Sequence, residues 1–375
     1  MPNPVEKSRK HAHWRYEQKQ PRDTTGEGQW AGERYASALL SGQAYYRPLS
    51  LLNGSERTGL HVSLMIYGLA GNPTKSAIWA PVAQTIDWLR EHDLSFWIHD
   101  PIATGLLEHG YSPNGLVNDR RVDDIAQASD LVLSFGGDGT LLRTAHLTGP
   151  NDTPLLGVNI GRLGFLADIE VDQLPDALRS IEAGEYNVEE RMVLEAHAST
   201  NSGFDSEWAV NEFALNRSGS AGLIKIAVSV NGTPLNTYWA DGLIIATPTG
   251  STAYSLSTGG PIIAPGVDAM ILTPIAPHTL TVRPIVLPGD ATITCQVLGD
   301  ELPYVFAADG RSTLFDTFQN EFRIRRAPHT VNLVKLPGQH FFHTLRSKLM
   351  WGAHRSASSE DGVGDSPGMP DGSSP

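Results

Sequence analysis

One cysteine, Cys295, is all the chain has among 375 residues. That excludes an internal disulfide and any zinc or iron–sulfur site built on cysteines, and it makes a reducing, cytoplasmic setting the expectation. Long apolar runs are missing too. No stretch approaches the roughly 18 residues a membrane span needs, and no continuous apolar segment near the start reads as a secretory leader. Glu6, Glu17, Asp23, Glu27 and Glu33 do not suit an acid-poor transit peptide. Positive charge is scarce: 28 Lys and Arg face 41 Asp and Glu, a net charge of −13. Wrapping a nucleic-acid backbone needs clustered positive charge, so no nucleic-acid partner is expected, and no membrane partner either. Two phosphate-binding signatures are also absent. There is no Gly-x-x-x-x-Gly-Lys-Ser/Thr loop and no Gly-x-Gly-x-x-Gly after the first strand.

What is present reads as two folded parts between polar ends. Residues 1–59 are mixed and polar, with a short helix predicted over 31–40, and residues 354–375, rich in Ser, Gly, Asp and Pro, predict a disordered tail. Over 60–184, strands alternate with helices. Residues 61–67 read as a strand stopping at Gly68, and 77–90 place Ile78, Val82, Ile86 and Leu89 on one helical face. Short strands follow at 94–98, 131–135 and 155–158, so an α/β domain with a Rossmann-like parallel sheet is predicted. Over 185–328, strand-like runs at 192–197, 223–230, 243–246, 279–282, 291–297, 304–307 and 321–325 predict a mainly β domain of sandwiched or layered sheets. Asn231-Gly232 signals a hairpin, because both turn centres need positive φ. A closing segment, 329–353, carries an amphipathic helix over 341–351 with Leu345, Leu349 and Trp351 as its docking face.

Two polar clusters stand at strand ends. Gly136-Gly137-Asp138-Gly139-Thr140 follows the apolar run 131–135, and 141–146 continue as a helix. Such a junction lies at the carboxyl edge of an α/β sheet, where glycines let backbone N–H groups approach a phosphate. Asp138 is an anion inside an anion-binding loop, which suits proton abstraction, hydroxyl orientation or a shared cation. The second cluster, residues 247–254, brings four hydroxyl side chains, Gly250 and Tyr254 directly after 243–246. Its hydroxyls suit phosphate or base edges, and Tyr254 suits a flat ring. Asn211-Glu212 and Asp241-Gly242 flank it with carboxylates of the kind that accept ribose hydroxyls. Each of these features also has a plain reading as a turn. The pairs His11 with His13 and His340 with His343 lack further ligands and read as ordinary surface or packing residues.

Taken together, over roughly residues 60–352, the chain resembles the NAD kinase family. The resemblance rests on GGDGT at 136–140 with LLR at 141–143, LLGVNIGRLGFL at 155–166 and NE at 211–212. It continues through ADGLIIATPTGSTAYSLSTGGPI at 240–262, LTPIAPHTLTVRPIVLP at 272–288, DG at 309–310 and LRSKLMW at 345–351. It implies transfer of a phosphoryl group from ATP, another triphosphate or polyphosphate to the 2′-hydroxyl of the adenosine ribose of NAD. It also implies a homodimer or homotetramer, and the charge of a donor triphosphate beside Asp138 calls for a divalent cation, most simply magnesium.

By the same resemblance Asp138 is the base beside the reactive ribose, and its replacement by Asn is expected to keep the loop intact. Gly136, Gly137, Gly139, Thr140 and Arg143 are the phosphate side. Asn211 and Thr252 match adenine contacts, Glu212 a second ribose carboxylate, and Asp241 and Ala253 contacts toward the nicotinamide. Tyr254 and Phe165 match the pocket walls. Many members carry Arg two residues before the aspartate matched by Asp241, where this chain has Trp239, so Arg143, Arg162 or Lys225 are left to supply that charge. A lipid or sugar kinase sharing the glycine loop, or a non-catalytic NAD-binding regulator, are the competing readings.

Overall fold

β1 (Ile66–Gly71) is buried through its middle and starts a run of alternating elements: α1 (Trp79–Glu91), β2 (Ser95–His99), α2 (Asp100–Glu108), β3 (Arg121–Val122), β4 (Leu131–Gly136), α3 (Asp138–Thr148), β5 (Leu155–Asn159), β6 (Ile169–Glu170) and α4 (Leu174–Glu182). The computed structural model describes residues 65–111, 116–198, 206–219, 222–299, 303–316 and 320–351; the stretch 1–59, its expected helix and the tail 354–375 lie outside these. All pairings among β1 to β6 are parallel, in the order β3-β2-β1-β4-β5 with β6 beyond β5. The chain winds outward from β1 in one direction and returns to β4 to wind in the other. The crevice between the carboxyl ends of β1 and β4 is therefore the topological switch point. Helices cover both faces: Val82, Ile86 and Leu89 of α1 and Leu178 and Ile181 of α4 pack on one, Leu141 and Ala145 of α3 on the other.

The chain then becomes almost wholly β: β7 (Asn187–Ala198), β8 (Ser206–Ala209), β9 (Glu212–Arg217), β10 (Ile224–Val230), β11 (Thr233–Ala240), β12 (Gly242–Ala246), β13 (Ala269–Ile275), β14 (Ile285–Pro288), β15 (Ile293–Leu298), β16 (Tyr304–Ala308), β17 (Arg311–Phe315) and β18 (Glu321–Lys335), before α5 (Phe341–Leu349). β18 joins the two kinds of sheet. Its first residues pair antiparallel with β15, and Leu333 pairs parallel with Leu155 of β5. One twelve-stranded sheet thus runs from β11 through β18 to β3. A second, antiparallel sheet, β14-β13-β12-β9-β16-β17, faces its antiparallel part. Between them lie Phe213, Leu243, Ile245 and Phe306 from one side and Leu194, Ile226, Ile293 and Phe322 from the other, all buried. Each such side chain contributes about 1.5–3 kcal/mol relative to exposure. The α/β half and the β-rich sandwich are as predicted, and Asn231 and Gly232 take φ +49° and +78° in the β10–β11 hairpin.

Several local expectations are corrected. β1 does not stop at Gly68 but runs to Gly71. Gly68 serves contact instead: a Cβ there would lie 2.4 Å from Ser129 Oγ and 2.8 Å from Ile125. Residues 279–282 form no strand, whereas β9, β13, β14 and β17 were not foreseen. β13 is buried along six of its seven residues, so it lacks the alternation that marks a half-buried strand. Helix α4 was missed behind Pro175, which sits in its first turn. Trp351 lies beyond α5 and is 54% exposed, so that helix docks through Thr344 and Leu345. Among the described residues no helix is long and apolar enough to cross a membrane.

Cys295 is fully enclosed in β15, and burial pushes its thiol up to about 12. Native protein is expected to show no labelling by a thiol reagent at pH 8 over the period in which guanidinium-unfolded protein reacts completely. Rapid native labelling would mean that the sandwich opens locally.

Candidate active site

Gly136 ends β4, Gly137 is the N-cap of α3, and Asp138 is its first residue. The first turn of α3 therefore points its free N–H groups out of the switch point, where they favour an anion. In front of them lies a cavity of about 360 Å³. Gly137, Gly139 and Thr140 form its backbone wall, while Lys75 from the loop after β1, Arg143 from α3 and Arg311 from β17 supply positive charge. Asp309 and Gly310 of the β16–β17 turn close it. A Cβ on Gly137 or Gly139 would meet nothing within 4 Å, so the fold itself does not require glycine at either position.

Asp138 holds the turn that follows β5. Its Oδ2 accepts from Phe165 N at 2.8 Å, and its Oδ1 accepts from Leu166 N at 2.9 Å and Ala167 N at 3.1 Å. The fit leaves no room for a side chain at residue 164, where a Cβ would lie 1.9 Å from Oδ1. Oδ2 thus carries one amide and keeps a lone pair for another partner. Lys348, from the last turn of α5, places Nζ 3.9 Å from Oδ2 and 4.7 Å above the Phe165 ring. Asn at 138 would offer one acceptor oxygen in place of two and keep at most two of the three amide bonds. The expectation of an undisturbed loop is corrected accordingly.

Asp309 does the same for a second turn. Its side chain is 1% exposed. Oδ1 accepts from Asn211 N at 2.8 Å and Glu212 N at 3.1 Å, and Oδ2 from Val210 N at 2.7 Å. Asn211 O in turn accepts from Thr247 N at 2.8 Å, and Thr247 Oγ1 donates to Val210 O at 2.6 Å. Gly250 packs so closely on this turn that a Cβ would lie 2.1 Å from Asn211 O. Asn211-Glu212 and the Thr249–Thr252 turn, predicted as partners, therefore form one unit. Thr252 bonds back to Thr249 O at 3.2 Å, Ala253 leads into the short helix Tyr254–Ser257, and Tyr254 is 40% exposed. Two polar atoms here are buried without a partner among the described residues, Thr249 Oγ1 and Glu212 Oε2. Burial and the nearby Asp309 carboxylate raise the Glu212 carboxyl to about 8, against a Tyr254 backbone N–H that favours its charged form.

His146 ties the two units together. From α3 it packs against Trp208 with centroids 3.7 Å apart and the rings tilted by 32°, and its Nε2 lies 3.3 Å from Asp309 Oδ2 and 3.1 Å from Arg311 Nη2. Arg311 also donates to Trp208 O at 3.0 Å and pairs with Glu207 at 2.9 Å, so its guanidinium is fixed at the cavity rim.

Asp241 lies apart from this cluster. β9 and β12 pair with Glu212 opposite Ala246 and Asn216 opposite Gly242, so Asp241 stands at the other end of a five-residue strand, about 17 Å along. There Arg217 Nε donates to its Oδ1 at 2.5 Å. Of the basic residues considered for the charge missing at Trp239, Lys225 stacks on that indole at 4.6 Å and Arg143 belongs to the cavity. The cation beside Asp241 is instead Arg217. Lys75, Arg311, Lys348 and the grip of Asp309 were also missed. Lys75 had one available signal, its place at the end of the loop after the first strand. The other three depend on contacts more than 95 residues apart in sequence.

Comparison with known proteins identifies the family. Residues 87–186 match the family model of the ATP-NAD kinase N-terminal domain, and residues 210–336 that of the ATP-NAD kinase C-terminal domain. An NAD kinase from Bacteroides fragilis is 43% identical over 250 residues, spanning 65% of this chain and 86% of that protein. One from Cytophaga hutchinsonii is 35% identical over 289 residues, 77% and 98% of the two chains. Among solved structures, yeast NADH kinase complexed with NADH superposes with a TM-score of 0.70 at 25% identity, covering 78% of this chain and 89% of that one. An NAD kinase from Archaeoglobus fulgidus in complex with ATP shares the fold, with a TM-score of 0.58 at 24% identity over 76% and 99% of the chains. With both halves matched in order and the glycine–aspartate loop at the switch point of the first, the chain belongs to the NAD kinase family.

Proposed function

We propose that the chain transfers the terminal phosphoryl group of ATP to the 2′-hydroxyl of the adenosine ribose of NAD, giving NADP and ADP. The observation that carries this reading is Asp138 itself. It is clamped by three amides with one lone pair of Oδ2 to spare, between two glycines that line a cavity rimmed by Lys75, Arg143 and Arg311. A ribose hydroxyl is a weak nucleophile, and a fixed carboxylate supplies the acceptor for its proton. The hydroxyl oxygen forms a bond to the γ-phosphorus while the bond to the β,γ-bridging oxygen breaks. That electron pair leaves on ADP, and the proton passes to Oδ2.

The cavity would take the donor's phosphates through the N–H groups of the α3 first turn and the three cations. The Asn211-Glu212 turn with Thr249, Thr252, Ala253 and Tyr254 would take the adenosine of NAD. The unpaired Thr249 Oγ1 and Glu212 Oε2 suit ligand hydrogen bonds there. Asp241, a strand's length away with Arg217, would face the nicotinamide end, and Phe165 would wall the pocket beside Asp138. Among the described residues no group of three or more His, Cys, Asp or Glu gathers as a metal cage. The donor set therefore fits magnesium carried in by the phosphates, with Asp138 as the carboxylate at hand. Bound there, the ion would neutralise charge on the transferred group.

The same reading treats 60–184 and 185–328 as the two domains, with 329–353 returning to the first. β18 reaching β5 and α5 bringing Lys348 to Asp138 support it. It also includes a cytoplasmic location, consistent with the unpaired Cys295, and a homodimer or homotetramer, for which Trp239 and Leu280 offer exposed apolar surface.

Asp138→Asn should lower turnover at least ~100-fold and, through the lost amide bond, destabilise the protein by about 1–3 kcal/mol. Steady-state NADP formation and a thermal melt measure the two effects, and near-normal turnover would remove the base assignment. Lys75→Met and Arg143→Met should each raise the KM for ATP ~10-fold or more, as expected for loss of a charge-assisted phosphate contact. The KM for NAD should stay within about twofold; unchanged ATP kinetics in both variants would place the donor elsewhere. Glu212, raised from 4.5 to about 8, makes the folded state pay for ionisation. That cost is absent below pH 4.5, grows through the interval and is complete above pH 8. Glu212→Gln should therefore match the parent's melting temperature near pH 4.5 and exceed it increasingly toward pH 8 in the absence of nucleotide. A constant difference across that range would contradict the burial of a protonated carboxyl.

A further inference from the structure

We propose that Lys348 is a further catalytic residue, holding the phosphoryl group as it arrives on the ribose. The inference rests on Asp138 being the residue that meets the ribose hydroxyl. Its own observation is the placement of the Lys348 ammonium. At 3.9 Å from Oδ2 it is too far for a hydrogen bond to Asp138. The Phe165 face holds it at that stand-off, 4.7 Å from the centroid, and Phe165 is also the residue whose N–H clamps Oδ2. Lys348 makes no hydrogen bond among the described residues, so its three N–H donors are uncommitted beside the oxygen where the nucleophile would sit.

The other cations near the loop have different work. Lys75, Arg143 and Arg311 line the donor cavity, and Arg311 is further tied to Glu207 and Trp208. Lys348 is the cation paired with Asp138 among the described residues. A hydroxyl oxygen bonded to Oδ2 lies no more than about 7 Å from Nζ, given an ordinary hydrogen-bond length, and the phosphoryl oxygens stand two bonds further out, beyond the phosphorus, within reach of a flexible four-carbon stem. In the transition state charge spreads over those three oxygens. An ammonium fixed there stabilises that state and the 2′-phosphate that follows, but has nothing to hold on unphosphorylated NAD. No bond to lysine forms or breaks, and its protons stay on nitrogen.

A merely structural lysine, closing the carboxyl end of α5, would affect both nucleotides alike. The discriminating measurement is the affinity of the full chain for NADP and for NAD by titration calorimetry, alongside kcat and thermal melts, for Lys348→Met and Lys348→Arg. Lys348→Met should weaken NADP binding ~10-fold, leave NAD binding within about twofold, and lower kcat ~10–100-fold, the effect of one charge-assisted contact. Lys348→Arg should recover most of each loss. An unchanged ratio of NADP to NAD affinity overturns the proposal, whatever happens to kcat, and so does a parallel loss of both affinities with a lowered melting temperature. Asp138→Asn run beside them separates the two levels. If that variant is inactive while Lys348→Met behaves as the parent, Lys348 alone is discarded; if Asp138→Asn turns over normally, the underlying site reading fails.

Discussion

Two carboxylates, each accepting three backbone amides, hold this site in shape. Asp138 reaches across 27–29 residues to 165–167, and Asp309 across 97–99 residues to 210–212. Bonds of this charge-assisted kind are worth about 1.5–3 kcal/mol each. Their more important effect is geometric, because three convergent donors leave a carboxylate with little rotational freedom. The amides of Phe165, Leu166, Ala167, Val210 and Asn211 lie outside the strands, so no sheet ladder satisfies them. Without Asp309, the N–H groups of Val210, Asn211 and Glu212 would lose these partners beside the core, and the surface on which Thr247 and Gly250 rest would loosen with them.

Charge is arranged against the overall balance. A chain of net charge −13 must accept polyanionic ligands, and long-range attraction does not help it. The solution is local: three cations and a helix N-terminus meet at one cavity. Arg311 shows how finely this is set. His146 Nε2 lies within hydrogen-bond range of both the Arg311 guanidinium and the Asp309 carboxylate. A single ring nitrogen cannot accept from one and donate to the other at once. The imidazole therefore bonds to one of them at a time, and it links the cavity rim to the turn that carries Asn211 and Glu212.

Legibility in sequence followed the range of the physics. The parallel half could be read because α1 and the strands 94–98, 131–135 and 155–158 advertise themselves by local periodicity and by a glycine loop at a strand end. Gly68 misled because a glycine required for contact with Ser129 and Ile125 looks the same as one required for a turn. β13 escaped because a strand buried on both faces has no alternation. In the site, the residues between flanking glycines or in hydroxyl-rich runs were visible, while Lys348 and Arg311 were not. A lone Lys near the end of a helix or an Arg after a DG turn carries no local sign of what it faces. Asp309 stood in plain view within a hairpin turn at φ +47°, and only the fold reveals that its side chain points inward to three amides.

The glycines of the site divide by what they make room for. Gly164 and Gly250 yield to atoms of the protein itself, since a Cβ would strike Asp138 Oδ1 at 1.9 Å and Asn211 O at 2.1 Å. They are the internal counterpart of the two aspartate clamps. Gly137 and Gly139 yield to nothing among the described residues, and Gly137 has φ −111°, which any residue can adopt. Glycine there costs backbone entropy at a helix start without relieving a contact in the free protein. Open space in front of both, together with the convergence of Lys75, Arg143 and Arg311 on that space, is the arrangement expected where the missing contact belongs to a ligand.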